Sequence, residues 1–206
     1  MSGLVPPTMT AHTTIIFLRH GEAEHNVAHR EHGEVAYHDS QWRDANLSSL
    51  GHEQALMAGE DLARNFGTRF QAIWSSPLSR CIQTALDAQQ SIQTSFHILH
   101  DSLLERLGGG HVCNERADKV EIVLRYPGWE THLLPREPPR WGETREPLES
   151  VRLRMKSLLL YLVDTYRVSR GPILVVTHHD AIEALFGVSL QNGQYYVYHE
   201  PEPPHA

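Results

Sequence analysis

Residues 14–26 read TIIFLRHGEAEHN, an apolar run from Ile15 to Leu18 that meets Arg19, His20 and Gly21. A short, continuous apolar run suits a strand buried on both faces, as in a parallel sheet. The arginine and histidine then sit at the strand's carboxyl end. In open α/β sheets that edge is where ligands bind, so the dipeptide marks a candidate site.

Similar strand-like runs recur at 70–75, 94–99 and 172–177. Between them, Ala55, Leu62, Ala63 and Phe66 fall at helical spacing and predict a helix over 49–66, with Ser48 or Ser49 as its cap. A second helix is expected after Pro77, a residue suited to a first helical turn. Leu148, Val151, Met155, Leu158, Leu159 and Leu162 form a core-facing stripe that predicts a long helix from Pro147 to Tyr166. Strands alternating with helices indicate an α/β protein, a largely parallel sheet covered on both faces. Residues 128–147, GWETHLLPREPPRWGETREP, hold several prolines and no sustained period. They read as a loop or lid, with Trp129 and Trp141 as candidate contacts.

A chain of 206 residues, 40% hydrophobic and 21% charged, is compatible with one globular domain carrying an elaborated loop. The expected organisation is a flexible 1–12, one domain over 13–200 with an inserted lid near 107–146, and a flexible 201–206. A net charge of −7 argues against nucleic acid as the main partner, although a local cationic pocket is compatible with it. Cys81 and Cys113, the two cysteines, are too few for a disulfide scaffold or a thiolate metal site. With no signal-like start and no apolar run of membrane-spanning length, the expectation is a cytoplasmic protein with no membrane partner.

Three further segments share the opening segment's character. In WSSPLSRCIQTA, 74–85, Arg80 lies one turn into a helix behind a Ser-Ser-Pro turn; LLERLGGG, 103–110, sets Glu105 before glycines; ILVVTHHDAI, 173–182, ends a strand at His178 and His179. Two arginines, two histidines and a carboxylate on one rim fit phosphoryl transfer. Planar guanidinium groups grip phosphate oxygens with paired hydrogen bonds, and Arg19 and Arg80 would be those clamps. One histidine with a free ring nitrogen can attack phosphorus, while the other, if protonated, would stabilise charge on the equatorial oxygens. A carboxylic acid must protonate the departing alkoxide and then serve as base for water.

The strings Arg19-His20-Gly21-Glu22 with Asn26, Ser75-Ser76-Pro77-Leu78 with Arg80 and Thr84-Ala85, Glu105 before glycine, and Val176-Thr177-His178 resemble the histidine phosphatase superfamily in its phosphoglycerate-mutase-like branch. Leu47, Gly51, Gln54 and Ala55 look like a further stretch of that pattern, and the resemblance covers about 14–186. It implies a three-layer α/β/α sandwich around a mostly parallel sheet, with no metal and no cofactor. His20 would be the nucleophile, Glu105 the proton donor, and Arg19, Arg80 and His178 the phosphate pocket, with Asn26 orienting the phosphate and His179 beside it. In the family's mutases the carboxylate is followed by Arg-His-Tyr-Gly. Here Glu105 is followed by Arg106-Leu107-Gly108, which favours a phosphatase.

The leading expectation is thus a metal-independent phosphatase that hydrolyses a small-molecule or protein phosphomonoester through phospho-His20. A phosphoglycerate mutase and a non-catalytic phospho-ligand binding module are its rivals. Specificity is expected from 27–45 and 107–146, with Arg43, Arg116, Arg136, Arg140 and Trp141 as readers of the group beyond the phosphate. His25, His29 and His32 share helical spacing, but chance clustering among 15 histidines explains them better than a metal site. Cys81 beside Arg80 reads as a core residue rather than a reactive thiol.

Overall fold

A computed structural model describes residues 13–139, 142–167 and 171–200. The expected flexible ends, together with Arg140 and Trp141, lie outside the described residues. The elements are β1 (Thr14–Arg19), α1 (Glu24–His32), α2 (Ser49–Phe66), β2 (Ala72–Ser75), α3 (Ser79–Ala88), β3 (His97–Leu99), α4 (Lys119–Arg125), α5 (Leu148–Thr165), β4 (Ile173–Thr177), α6 (His179–Phe186) and β5 (Tyr195–His199). The sheet order is β3-β2-β4-β1-β5; β1, β2, β3 and β4 pair in parallel, and β5 runs antiparallel to β1.

Because strand side chains alternate across a sheet, each strand feeds two cores. Ile16, Leu18, Ile73, Leu174 and Val176 pack against Leu62, Ile82 and Ala85 of α2 and α3. Ile15, Phe17, Trp74, Ile173 and Val175 pack against Met155, Leu158 and Leu162 of α5 and Ile182 of α6. The result is the three-layer α/β/α sandwich with a mostly parallel sheet. Strands buried on both sides explain why the sequence shows continuous apolar runs there rather than alternation.

Helix α2 spans the expected residues, and Ser48 is its cap, its Oγ accepting from the Gly51 amide at 3.1 Å. Such a cap stabilises a helix by about 1 kcal/mol. Helix α5 matches its apolar stripe, with Pro147 just before it. Helix α3 starts at Ser79, two residues beyond Pro77. Strands β2 and β3 begin later than the apolar runs suggested, and β5 was not expected at all. Its sequence, YYVYH, is rich in residues of high β-propensity, but its side chains are only half-buried, so no continuous apolar run announces it.

The segment between α3 and α5 is anchored rather than loose. Glu130 extends the β3 edge through Leu99 N–H donating to Glu130 O at 3.0 Å and Glu130 N–H donating to His97 O at 2.7 Å. Trp129 is buried in the α2/α3 core with its ring against His97, so it is a packing residue and not a ligand contact. Arg116 is fully buried: it pairs with both carboxylate oxygens of Asp101 at 2.8 and 3.1 Å and donates to the carbonyls of Ala117, Pro135 and Glu137. It pins the inserted segment and does not line the cavity described below. Arg43 pairs with Glu115, and neither it nor Arg136 lines that cavity either.

Candidate active site

Strands β1 and β4 end side by side, with Arg19 level with Thr177, and the chain turns over this edge at His20 and at His178. A cavity of about 170 Å³ opens there, lined by Arg19, His20, Asn26, Arg80, Glu105 and His179 among others. The structure thus gathers at one rim six of the seven expected site residues, drawn from separate segments of the chain. His178 is the exception. It is fully buried behind the lining, its ring edge-to-face on His20 at 5.0 Å, with one nitrogen on Ser76 Oγ at 2.8 Å.

The loop carrying His20 is held by backbone contacts that only small residues permit. A Cβ on Gly51 would fall 1.9 Å from Glu22 O, and one on Gly21 would fall 2.3 Å from Gly51 O. The two glycines let the first turn of α2 press directly on the loop after β1. Gly21 N–H donates to Thr84 Oγ1 at 3.0 Å, and Ser48 Oγ donates to Glu22 at 2.7 Å.

His20 Nδ1 is 2.7 Å from its neighbour's carbonyl, Gly21 O, and Arg80 Nε donates to His20 Nε2 at 3.3 Å. These partners assign the proton to Nδ1 and the lone pair to Nε2. Burial, followed by the charges of Arg80 and Arg19, holds the His20 pKa well below the usual histidine range. The ring is neutral at physiological pH with Nε2 turned to the arginine. Arg80 is itself fixed: its other nitrogens donate to Cys113 O at 2.8 Å and Asn114 Oδ1 at 2.8 Å, with His178 Nδ1 at 3.3 Å.

His178 is likewise held neutral, by burial and then by Arg80. The condition set for the second histidine, that it be protonated to stabilise the equatorial oxygens, is not met at His178, which is buried behind the cavity lining with its pKa lowered. A fully buried ring beside a fixed guanidinium cannot afford a second positive charge, and His178 instead props Arg80 and His20 from behind.

Glu105 sits where the amino end of α6 meets the glycine-rich loop. Its Oε1 accepts from the Arg106 amide at 2.9 Å and its Oε2 from the Asp180 amide at 3.4 Å. Burial, and next the nearby Asp180 carboxylate, raise its pKa above the usual carboxylate range. Arg154 on α5 positions this loop by donating to the carbonyls of Ser102, Leu104 and Glu105.

Asn26 accepts from the Ala23 amide at 3.0 Å, closing the first turn of α1, and its Nδ2 faces His25 Nε2 at 3.2 Å. His179 lines the cavity with both ring nitrogens engaged, one on Asp180 Oδ1 at 3.1 Å and one on Ser189 Oγ at 3.0 Å. Sequence reasoning missed His25, Tyr37, His111, Cys113, Asn114, Arg145 and Asp180 as lining residues. Asp180 follows His178 and His179 closely enough to have been found; Tyr37 and Arg145 carry no local signal. Cys81 is a buried core residue whose thiol pKa is pushed up by burial, as expected.

Three buried side-chain atoms lack a hydrogen-bond partner among the described residues: Arg19 Nε, His25 Nδ1 and Arg145 Nε. All three residues line this cavity. Buried donors are normally satisfied, so this concentration of unpaired ones defines a site built to receive acceptor oxygens.

An α/β sandwich with an arginine- and histidine-lined cavity at the carboxyl edge of its sheet is the class that fold and site define. The chain belongs to the histidine phosphatase superfamily (branch 1), whose family model matches residues 15–196. A 2,3-bisphosphoglycerate-dependent phosphoglycerate mutase of Bartonella quintana (strain Toulouse) is 23% identical over 173 residues, covering 84% of this chain and 79% of the mutase. The mutase of the same name from Brucella anthropi is 25% identical over 176 residues, covering 84% and 79%. Among solved structures, a mycobacterial glucosyl-3-phosphoglycerate phosphatase in complex with VO3 shares the fold with a TM-score of 0.60 at 23% identity, covering 90% of each chain. The ecdysone phosphate phosphatase from Bombix mori, in complex with tungstate, superposes with a TM-score of 0.65 at 14% identity, covering 94% of this chain and 95% of its own. Among the described residues no helix is long and apolar enough to cross a membrane.

Proposed function

We propose that the protein is a phosphomonoester phosphatase that works through phospho-His20. The observation that carries this reading is one cavity lined by a neutral His20, its Nε2 beside the Arg80 guanidinium, and by a buried Glu105 whose pKa is raised above the usual carboxylate range. The substrate phosphate takes the unpaired donors of Arg19 and His25, with Arg80 beside the attacking nitrogen. His20 Nε2 forms a bond to phosphorus as the ester P–O bond breaks, and the Glu105 proton goes to the departing oxygen. Water then attacks phosphorus, giving a proton to the Glu105 carboxylate while the N–P bond breaks and inorganic phosphate leaves. Arg145, with its free Nε, reaches the group beyond the phosphate.

A phosphoglycerate mutase is the second reading, favoured by the names of the curated relatives. It shares the first half-reaction and returns the phosphoryl group to a second hydroxyl. The departure from Arg-His-Tyr-Gly after Glu105 favours transfer to water. The experiment is hydrolysis of para-nitrophenyl phosphate in the presence of a chelator, with His20→Ala alongside and the phosphoglycerates assayed in parallel. Phosphate release by the intact chain that is lost in His20→Ala supports the phosphatase. Interconversion of phosphoglycerates with little free phosphate supports the mutase, and phosphate binding without turnover supports a binding module.

A further inference from the structure

Residues 189–196 read SLQNGQYY, the connection from α6 into β5, and its Asn-Gly pair is a turn signal. Gly193 takes φ +76°, in the left-handed region that glycine enters without strain. Asn192 is not a core residue, and it lines a separate groove of about 540 Å³ rather than the phosphoryl cavity.

This turn grips the end of β1. Arg19 N–H donates to Gln194 O at 2.9 Å, Gly193 N–H donates to Arg19 O at 3.1 Å and to His20 O at 3.3 Å, and the Arg19 guanidinium donates to Leu190 O. The turn is also braced in itself, since Gln194 N–H donates to Gln191 O at 3.1 Å and Gln191 N–H to Gln194 Oε1 at 2.8 Å. Its hold on the strand comes from main-chain groups, with one exception. Asn192 Nδ2, a side-chain donor, reaches His20 O at 3.0 Å. We infer that Asn192 is a positioning residue for the proposed nucleophile, acting through the peptide unit between His20 and Gly21.

His20 C=O and Gly21 N–H are the two ends of that one rigid unit, and in a trans unit they point in opposite directions. Asn192 holds the first end. Thr84 Oγ1 accepts from the second at 3.0 Å and itself donates to Arg80 O at 2.7 Å, which ties it into α3. The unit is thus fixed between the α6–β5 turn and α3. Among the described residues the other donor to His20 O is Gly193 N–H, which is longer and shared with Arg19 O.

The next carbonyl along the chain, Gly21 O, is the partner of His20 Nδ1 at 2.7 Å. Glycine places few limits on rotation about its own bonds, so the outside grips decide where that carbonyl points. Held there, it keeps the ring proton on Nδ1 and leaves the Nε2 lone pair beside Arg80 Nε. Without the donor at 192 the unit pivots on its Thr84 contact, Gly21 O swings off Nδ1, and the imidazole loses the bond that sets its rotation. The inference rests on the role proposed for His20.

The test pairs NMR of ring N–H protons with steady-state kinetics on para-nitrophenyl phosphate, for the intact chain, Asn192→Asp, Asn192→Ala and Gln191→Ala. Asn192→Asp keeps the size and loses the donor, and the groove beside 192 accommodates either replacement, which circular dichroism checks. Gln191 is exposed and its side chain makes none of these contacts. A buried imidazole N–H held at 2.7 Å gives a downfield, exchange-protected proton signal, identified as His20's by its absence from His20→Ala. In both Asn192 variants that signal should move upfield and exchange about fivefold faster or more, with no change in Gln191→Ala. The kcat should fall about tenfold or more while KM changes little, because Arg19 and Arg80 keep their own anchors. A His20 signal unchanged in the Asn192 variants, or altered to the same extent in Gln191→Ala, overturns the assignment, as does a raised KM with kcat unchanged. In a chain without phosphatase activity the ring signal still decides the role of Asn192, so the two readings fail separately.

Discussion

The main-chain amide of Asp180 donates to Glu105 Oε2 at 3.4 Å, so the first turn of α6 holds two carboxylates beside each other at the cavity wall. One of them, Asp180, is paired with Arg145 and Arg106. The other is buried with backbone donors only, and burial together with that neighbouring charge raises its pKa.

The pH profile follows from this pair. The proposed catalysis needs His20 neutral and Glu105 protonated. The His20 pKa is depressed, so the nucleophile stays available on acidification; the Glu105 pKa is raised, so the acid is lost as pH rises through that raised value. Turnover of an alkyl phosphate should hold in mild acid and fall on the alkaline side. Asp180→Asn removes the negative neighbour, lowers the Glu105 pKa and should move the alkaline limb to lower pH. Steady-state kcat between about pH 4 and 9 measures both, and an unmoved limb in Asp180→Asn would show that the carboxylates are not coupled.

Replacing Glu105 by glutamine keeps its size and removes its proton. Loss of a general acid costs about 10²- to 10⁴-fold, and the cost grows with the basicity of the leaving group. Glu105→Gln should therefore impair sugar phosphates much more than nitrophenyl phosphate. Equal losses on the two substrates would move the acid's role elsewhere.

Arg116 is a test of structure rather than specificity. Arg116→Ala strands Asp101 and leaves the carbonyls of Ala117, Pro135 and Glu137 without their donor. Breaking a buried pair in this way costs roughly 3–5 kcal/mol, which denaturant unfolding would register. A variant of wild-type stability with altered substrate preference would instead restore Arg116 as a reader of the substrate.

Gly51 lies outside the cavity lining, yet it presses on the loop that carries His20. A methyl group there meets Glu22 O at 1.9 Å, so Gly51→Ala must push the 20–22 segment or the start of α2 aside. We expect a loss of about 1–3 kcal/mol in stability together with lower kcat, because His20 moves with that segment. Thermal unfolding and turnover measured side by side would separate a strained loop from an unfolded chain.

Much of the fold was legible because its strands are buried on both faces and carry continuous apolar runs, as at Ile15–Leu18 and Ile173–Val176. The 49–66 and 148–165 helices announced themselves by cap and stripe. Strand β5 did not: as a half-buried, antiparallel edge strand it needs no such run. At the site, Arg19, His20, Arg80 and Glu105 stood in recognisable local strings, whereas Tyr37 and Asn114 reach the cavity from short 3-10 turns and Arg145 from a loop, none with a period to read. Arg43, Arg116 and Arg136, picked for specificity, do not line the cavity, because charge in a loop does not reveal direction. Arg116 turns inward to Asp101, while Arg145, unremarkable in sequence, faces the cavity.

By itself the sequence determined which residues the proposed phosphoryl chemistry draws on and which strand ends carry them, since both follow from local patterning of apolar runs, turns and charged side chains. Tertiary structure alone decided the direction in which their pKa values shift. The depressed pKa of His20 and the raised one of Glu105 arise from burial and from charges contributed by distant parts of the chain, Arg80 sixty residues from His20 and Asp180 seventy-five from Glu105. Desolvation and Coulomb interactions depend on distance in space rather than distance along the chain, and only folding sets that distance.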